Sequence, residues 1–185
     1  MINGKSPLVI AIAAISGGGK TTITKQLAQS LDNSRTLFFD DYDFKGPDDI
    51  VDWIENGGNP NEWNLAPLLK DLNLLLAEPL DFIMLDFPFS YEHSLVTEFI
   101  DFSVFVDTPL DIAMARRILR DFREGSTEDI LVDMEIYISR GRQAYLHMLQ
   151  TIKPTADIVI DGTLPARDII HVIMNHLELK KGLDN

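Results

Sequence analysis

The chain has 185 residues, no cysteine, 45% hydrophobic residues and a formal net charge of -13 from 16 Lys+Arg against 29 Asp+Glu. A chain of this length fits one domain and buries about 70% of its extended surface, which argues against intrinsic disorder. Without thiols there is no disulfide framework, thiolate metal site or cysteine nucleophile, as a reducing, cytoplasmic setting favours, and so acidic a surface weighs against nucleic acid and anionic membranes as partners.

In chain order, the first element is the apolar run Leu8–Ile15, far short of the ~20 residues that a membrane span requires. Lys5 before it and small residues after it imitate a short secretion signal, but those small residues continue into Gly17-Gly18-Gly19-Lys20-Thr21-Thr22, which has a chemical explanation. Leu8–Ala13 reads as a buried strand. From Lys20 onward Ile23, Leu27 and Leu31 recur every four residues and predict a helix, which Asp32-Asn33-Ser34 ends. Thr36–Phe39 is the second predicted strand. Residues 41–64 hold Gly46, Pro47, Gly57, Gly58 and Pro60 and predict a loop with one short helix over Asp49–Glu55. Long loops in compact domains are more often functional or mobile than idle. Further strands are expected at Phe82–Leu85, Phe102–Val106 and Ile158–Ile160. Thr108 as N-cap, Pro109 at the first helical position and Asp111 predict a helix to about Gly125, and Ser126 with Asp129 repeats the arrangement for a helix to about Leu149. Lys180–Asn185 is expected to fray. Short apolar runs alternating with helical spacing predict an α/β fold with a parallel sheet, and no repeat or linker divides residues 1–185 into more than one domain.

Ala14-Ile15-Ser16-Gly17-Gly18-Gly19-Lys20-Thr21 fits a phosphate-binding loop, with Ala14 where the first glycine usually stands. Glycines let successive backbone N–H groups of Ser16, Gly17, Gly18 and Gly19 turn inward around ATP phosphates, the positive end of the next helix adds its dipole, and Lys20 reaches the β and γ phosphates. The Thr21 hydroxyl is placed to ligate Mg2+, with Thr22 beside it. A plain glycine turn shares the glycines but has no need of a strand before them and Lys-Thr after them.

Asp40, Asp86, Asp107 and Asp161 directly follow four of the five predicted strands. In a parallel sheet these positions share the edge at which ligands bind. Asp107, next to the expected cap, reads as structural, and Asp161 with Gly162 and Thr163 reads as a turn beneath a nucleotide base. ATP chemistry requires carboxylates near Mg2+ and a group to take the proton of an attacking hydroxyl, which suits Asp86 and Asp40 respectively, with Asp41 and Asp43 as competitors for the second role. Arg116, Arg117, Arg120 and Arg123 form a local positive patch able to stabilise a phosphoryl group in transit. Surface pairing of Arg117 with Asp121 and of Arg120 with Glu124 is the plainer alternative, and Arg140 and Arg142 read as solvated helix charges. Within 41–64, Tyr42, Trp53 and Trp63 offer stacking faces, and Asn59 and Asn61 offer hydrogen bonds, to a polar acceptor that reaches Asp40. A core plug is the alternative role for either tryptophan and the favoured one for Trp53, and the exit of the third strand, Phe87–His93, is the next candidate for the acceptor pocket.

Taken together, Ser16–Thr22, Phe39-Asp40-Asp41-Tyr42, Ile100–Asp121 and Lys153–Ile160 resemble the uridine kinase and nicotinamide riboside kinase branch of the P-loop kinases. The resemblance implies a P-loop NTPase three-layer αβα sandwich with a five-stranded parallel sheet of order 2-3-1-4-5, and a lid over about 116–126 carrying Arg116, Arg117 and Arg120. It also implies Asp40 as base and Asp86 as the acid that assists Mg2+, although the family usually has Glu-Gly where this chain has Asp86-Phe87-Pro88. The expected activity is ATP-dependent transfer of the γ-phosphoryl to a hydroxyl of a nucleoside or similar metabolite. A nucleoside monophosphate, sugar acid or vitamin precursor is the alternative acceptor, and a P-loop switch that binds ATP is the alternative class. An Asn-Lys-x-Asp guanine-reading motif is missing from the chain, which disfavours a GTPase.

Overall fold

The computed structural model describes residues 6–183, with side chains through residue 179, so Lys5 and Asp184–Asn185 lie outside it. Five parallel strands form one sheet: β1 (Leu8–Ala13), β2 (Ser34–Phe38), β3 (Phe82–Asp86), β4 (Phe102–Asp107) and β5 (Ile158–Asp161). Their order is β2-β3-β1-β4-β5, with Leu8 opposite Phe82, Ile10 opposite Phe102, Ser34 opposite Phe82 and Val104 opposite Ile158. β1 is central, and its near-continuous apolar sequence is what burial on both faces requires.

Alternation within β1 divides the core. Ile10 and Ile12 face one side, where Ile23 and Leu27 of α1 (Lys20–Ser30) meet Ile169, Ile173 and Leu177 of the last helix. Val9 and Ala11 face the other, packed with Leu68 and Leu72 of α3 (Ala66–Leu76) and Trp53 of α2 (Ile50–Glu55). Each fully buried leucine or isoleucine contributes about 1.5–3 kcal/mol, so these two layers hold the sheet rigid beneath its C-terminal edge. Ala13, Ile15, Phe105, Ala113 and Ile152 form a third cluster at that edge. It anchors α5 (Leu110–Asp121) and α7 (Arg142–Thr151) next to the loop that follows β1. The remaining helices are α4 (Ser94–Thr97), α6 (Thr127–Ile136) and α8 (Ala166–Leu183). Among the described residues no helix is long and apolar enough to cross a membrane.

Several boundaries differ from expectation for local reasons. α1 stops at Ser30 and Asn33 takes a left-handed φ of 52°, so the polar triplet does turn the chain. β2 yields at Phe39, where a 3-10 turn over Phe39–Asp41 carries Asp40 out of the strand, whereas β3, β4 and β5 each keep their final aspartate within the strand. Asp49 caps α2 by accepting from the backbone N–H of Val51 and Asp52, so the short helix expected over Asp49–Glu55 begins one residue later, at Ile50. Thr108 does not cap α5: Pro109 occupies the cap position, the helix ends at Asp121 rather than Gly125, and the threonine hydroxyl is committed elsewhere. Ser126 and Asp129 form a reciprocal capping box for α6. The single helix expected to run on to Leu149 is broken by a π-helical turn over Tyr137–Gly141. α8 continues through Leu183, past Lys180, where the expected fraying was to begin.

Candidate active site

The loop after β1 is shaped by contacts as well as by its chemistry. Gly17 and Gly19 have φ of 77° and 99°, values that only glycine adopts readily. A Cβ on Gly17 would also collide with the Ala113 carbonyl oxygen of α5, so the helix carrying the arginines presses against the loop at its most exposed turn. The backbone N–H of Gly18 donates to Ile15 O at 2.8 Å, and Ile23 N–H reaches Gly19 O at 3.0 Å as α1 begins. Ala14 is buried with a negative φ, so the usual first glycine is not needed here. On the far side, Thr108 donates its hydroxyl to Gly18 O at 2.8 Å, and this buried bond ties the loop to the end of β4.

Lys20, at the first position of α1, ion-pairs with Asp86 at the end of β3. Asp86 is 1% exposed and, apart from that ammonium, its carboxylate oxygens have no hydrogen-bond partner. Burial lowers the Lys20 ammonium to about 8 and Arg120 acts in the same direction, while Asp40 opposes them. At neutral pH Lys20 therefore remains charged. With Lys20 on a phosphate, Asp86 would be a buried carboxylate in need of a cation. That donor, with the Thr21 hydroxyl at the next position of α1, fits Mg2+ held between protein and phosphates.

Ser16, Lys20, Thr21, Asp40, Arg116 and Arg120 line one cavity of about 780 Å3, together with Gly17, Gly19 and Thr22. This size suits a nucleotide with part of a second ligand. Gly18 faces a smaller cavity of about 240 Å3 on the other side of the loop, which Thr22, Arg116, Gly162 and Leu164 also line. Arg116 donates to Gly162 O at 3.2 Å there. Thr163 does not line it: its N–H and hydroxyl turn to Asp161 Oδ1, at 2.8 and 2.6 Å.

Other predicted residues are used differently. Arg117 turns away from the cavity and ion-pairs with Asp133 of α6, with Met114 Sδ as a further contact, so it joins α5 to α6 instead of pairing with Asp121. Burial works against the Arg117 charge, and hydrogen bonding to Asp133 together with the nearby charges of Tyr145, Asp133 and Asp121 outweighs it, raising its pKa. Arg120 pairs with the adjacent Asp121, not with Glu124. Arg140 meets Asp49 at 3.0 Å across the insert, a correction to its reading as a merely solvated charge. Asp107 pairs with Lys153 at 2.6 Å, as a structural residue would.

The acceptor residues expected in 41–64 are not brought to the phosphate cavity. Tyr42 donates to Asp71 at 3.0 Å and stacks on Phe44, and burial with that bond raises its pKa well above the usual range. Asn59 accepts from the backbone and side chain of Asn61 at 3.0 Å, while Asn61 Oδ1 accepts from Ser94 at 2.9 and 2.7 Å, so both amides hold the loop's own shape. Trp63 lines a separate apolar cavity with Trp53, Phe89 and His147. Phe89 falls in the stretch Phe87–His93, whereas His147 and Thr108 carried no sequence signal tying them to these cavities.

A family model described as phosphoribulokinase / uridine kinase family matches residues 67–169. A uridine kinase of Oceanobacillus iheyensis is 27% identical, with 97% of this chain and 99% of that protein covered. One from Macrococcus caseolyticus is 28% identical over 82% of this chain and 86% of its own length. Among solved structures, a putative fructose transport system kinase from Silicibacter sp. TM1040 superposes with a TM-score of 0.56 at 14% identity, covering 86% of this chain and 92% of that one. Deoxyadenosine kinase from M. mycoides with bound dCTP gives 0.51 at 16% identity, covering 92% and 99%. These two structural likenesses concern the fold.

Proposed function

The chain belongs to the phosphoribulokinase / uridine kinase family, and from that premise we propose that it transfers the γ-phosphoryl of ATP to a hydroxyl of a small metabolite, a nucleoside or a similar alcohol. The observation that carries this reading is the meeting of the phosphate loop, Lys20, Arg116 and Arg120 with the Asp40 carboxylate around one cavity. A phosphate-binding loop alone serves a switch equally well. A carboxylate facing the same space, beside the start of the insert, serves a reaction in which an alcohol loses its proton.

In this assignment the N–H groups of Ser16, Gly17 and Gly19 and the N-terminus of α1 hold the β and γ phosphates, while Gly18, whose N–H is taken by Ile15 O, shapes the loop. Lys20 leaves Asp86 to contact the phosphates. Thr21 and Asp86 would hold Mg2+, which would supply neutralisation of the phosphate charge. Asp40 accepts the hydroxyl proton while the acceptor oxygen bonds to the γ phosphorus. The bond from that phosphorus to the bridging oxygen breaks, and ADP leaves with the electron pair. Arg116 and Arg120 face the charge that spreads over the phosphoryl oxygens, whereas Arg117 holds α5 against α6 as a positioning residue.

The test is ADP release measured with and without uridine, cytidine, nucleoside monophosphates, sugar acids and vitamin precursors. Release that rises with one acceptor, with stoichiometric phosphorylated product, supports the kinase reading. Slow release unaffected by any alcohol would identify an ATP-binding switch.

A further inference from the structure

A second cavity, of about 180 Å3, lies against the phosphate cavity, and Phe39, Pro88 and Met148 line both. Phe39 immediately precedes Asp40, so an acceptor seated in the second cavity would have its reactive arm pass beside the proposed base. Aromatic rings form much of its wall. Trp53, Trp63 and Phe89 meet one another with ring centroids 5.9–6.2 Å apart, and His147 of α7 closes on Trp53 at 6.2 Å. Gly58, whose φ is 60°, is required at this rim, because a Cβ there would lie 2.6 Å from His147 Nε2.

Polarity narrows the occupant. The Trp53 indole N–H is already committed to Asn59 O at 3.0 Å. The Trp63 indole nitrogen is buried without a partner, a donor left for something that enters from outside. Apart from it and the His147 ring, no described side chain on the wall offers an uncommitted hydrogen-bonding group, and no amide, carboxylate or guanidinium lines it. Building on the kinase reading above, we propose that the acceptor is an alcohol carried by a single, largely apolar six-membered ring, which fills this cavity and places at most one acceptor atom opposite the Trp63 N–H. A cavity of about 150 Å3 with apolar walls already holds benzene, so one ring fits here, while the several ring nitrogens of a purine exceed the hydrogen-bond partners on the wall. Uracil fits by size, but its two carbonyls and N–H exceed the partners available. Each polar group buried without a partner weakens binding about tenfold.

Trp53 and Trp63 are the chain's two tryptophans and both line the cavity, so intrinsic fluorescence reports its occupancy without any turnover. Benzyl alcohol, pyridine-3-methanol and uridine are titrated into the full chain with Mg2+ and a non-hydrolysable ATP analogue, and ADP release from ATP is measured with the same alcohols. We expect a saturable change in emission with the two ring alcohols, at least about tenfold tighter than with uridine, and ADP release that follows the same order. Ala144→Leu, which fills the cavity from α7, should abolish the emission change while calorimetry shows the ATP analogue still binding. Trp63→Phe should bind benzyl alcohol as before and lose any preference for pyridine-3-methanol. Tighter binding of uridine, or ring alcohols that bind Ala144→Leu as well as the parent, overturns the proposal. ADP release with uridine that ignores Ala144→Leu overturns this acceptor assignment and leaves the kinase reading standing. Ring binding without ADP release from any alcohol overturns the kinase reading and the assignment together.

Discussion

Replacing Thr108 by valine tests how the phosphate loop is held. Valine keeps the shape of threonine but removes the hydroxyl that donates to Gly18 O at 2.8 Å, in a site where Thr108 is 1% exposed. Gly162 packs on the same hydroxyl and Arg116 bonds to Gly162 O, so one side chain connects loop, β4, the turn after β5 and α5. An unsatisfied buried carbonyl costs about 1–3 kcal/mol. If the loop stays in place, the whole loss appears as stability, at about 2–4 °C in Tm per kcal/mol for a domain of this size. If it relaxes to expose the carbonyl, stability recovers but ATP must re-form the loop, and 1–3 kcal/mol then raises Kd by about 5–150-fold. Either way the two losses sum to the same quantity, read from Tm of the free protein and from calorimetric titration with a non-hydrolysable ATP analogue. Thr108→Ser, which keeps the hydroxyl, should retain most of the loop's hold on ATP. A valine variant that matches the parent in both Tm and Kd would refute the role given to this bond.

Asp40→Asn should lower kcat about 100–10,000-fold with little change in the Kd for ATP, because it removes a proton acceptor and leaves the shape; steady-state kinetics beside equilibrium titration checks this. Asp86→Asn should instead raise the Mg2+ concentration needed for half-maximal rate, since it removes the buried countercharge beside Lys20. ATP affinity should fall as pH rises through about 8, where the ammonium of free Lys20 is lost, with the decline approaching about tenfold per pH unit above it. The sign for folding is opposite: between about 8 and the ordinary lysine value of 10.5 the unfolded chain binds more protons at this site, so the site itself makes folding more favourable as pH rises. Weaker ATP binding at pH 9.5 than at 7.5, with Tm followed in parallel, separates this effect from unfolding.

The strands were legible because β1, β3 and β4 are buried on both faces and must be apolar throughout, leaving little room for another periodicity. Helix ends were harder. Thr108-Pro109 satisfies the rules for a cap, yet a hydroxyl can donate as well as accept, and here a carbonyl 90 residues earlier in the chain takes it. Local rules also fail at Tyr137–Gly141, where the packing of Tyr137 against Tyr145 and the bond from Arg140 to Asp49 accompany a π-helical turn that spacing alone does not mark. α3 is not among the expected elements although Leu68 and Leu72 lie four apart and Pro67 stands in its first turn, where proline fits a helix.

The two halves of the site differ in legibility for a physical reason. Phosphate is recognised largely by backbone N–H groups, and backbone geometry requires glycine at fixed intervals within seven residues, so the requirement is written locally. The acceptor side is assembled from Phe39, Trp53, Trp63, Phe89 and His147, which come from five separate stretches and need only be large and apolar on one side. In such a sequence polar residues attract attention as binding groups, yet Asn59 and Asn61 are consumed in fixing the turn that presents Trp63. Their removal should therefore act on the acceptor through the position of the indole ring. Asn61→Ala would loosen the link to Ser94 and weaken acceptor binding while broadening the tryptophan emission response. Direct contact with the acceptor predicts the weaker binding without that change, since the indole environment would be undisturbed.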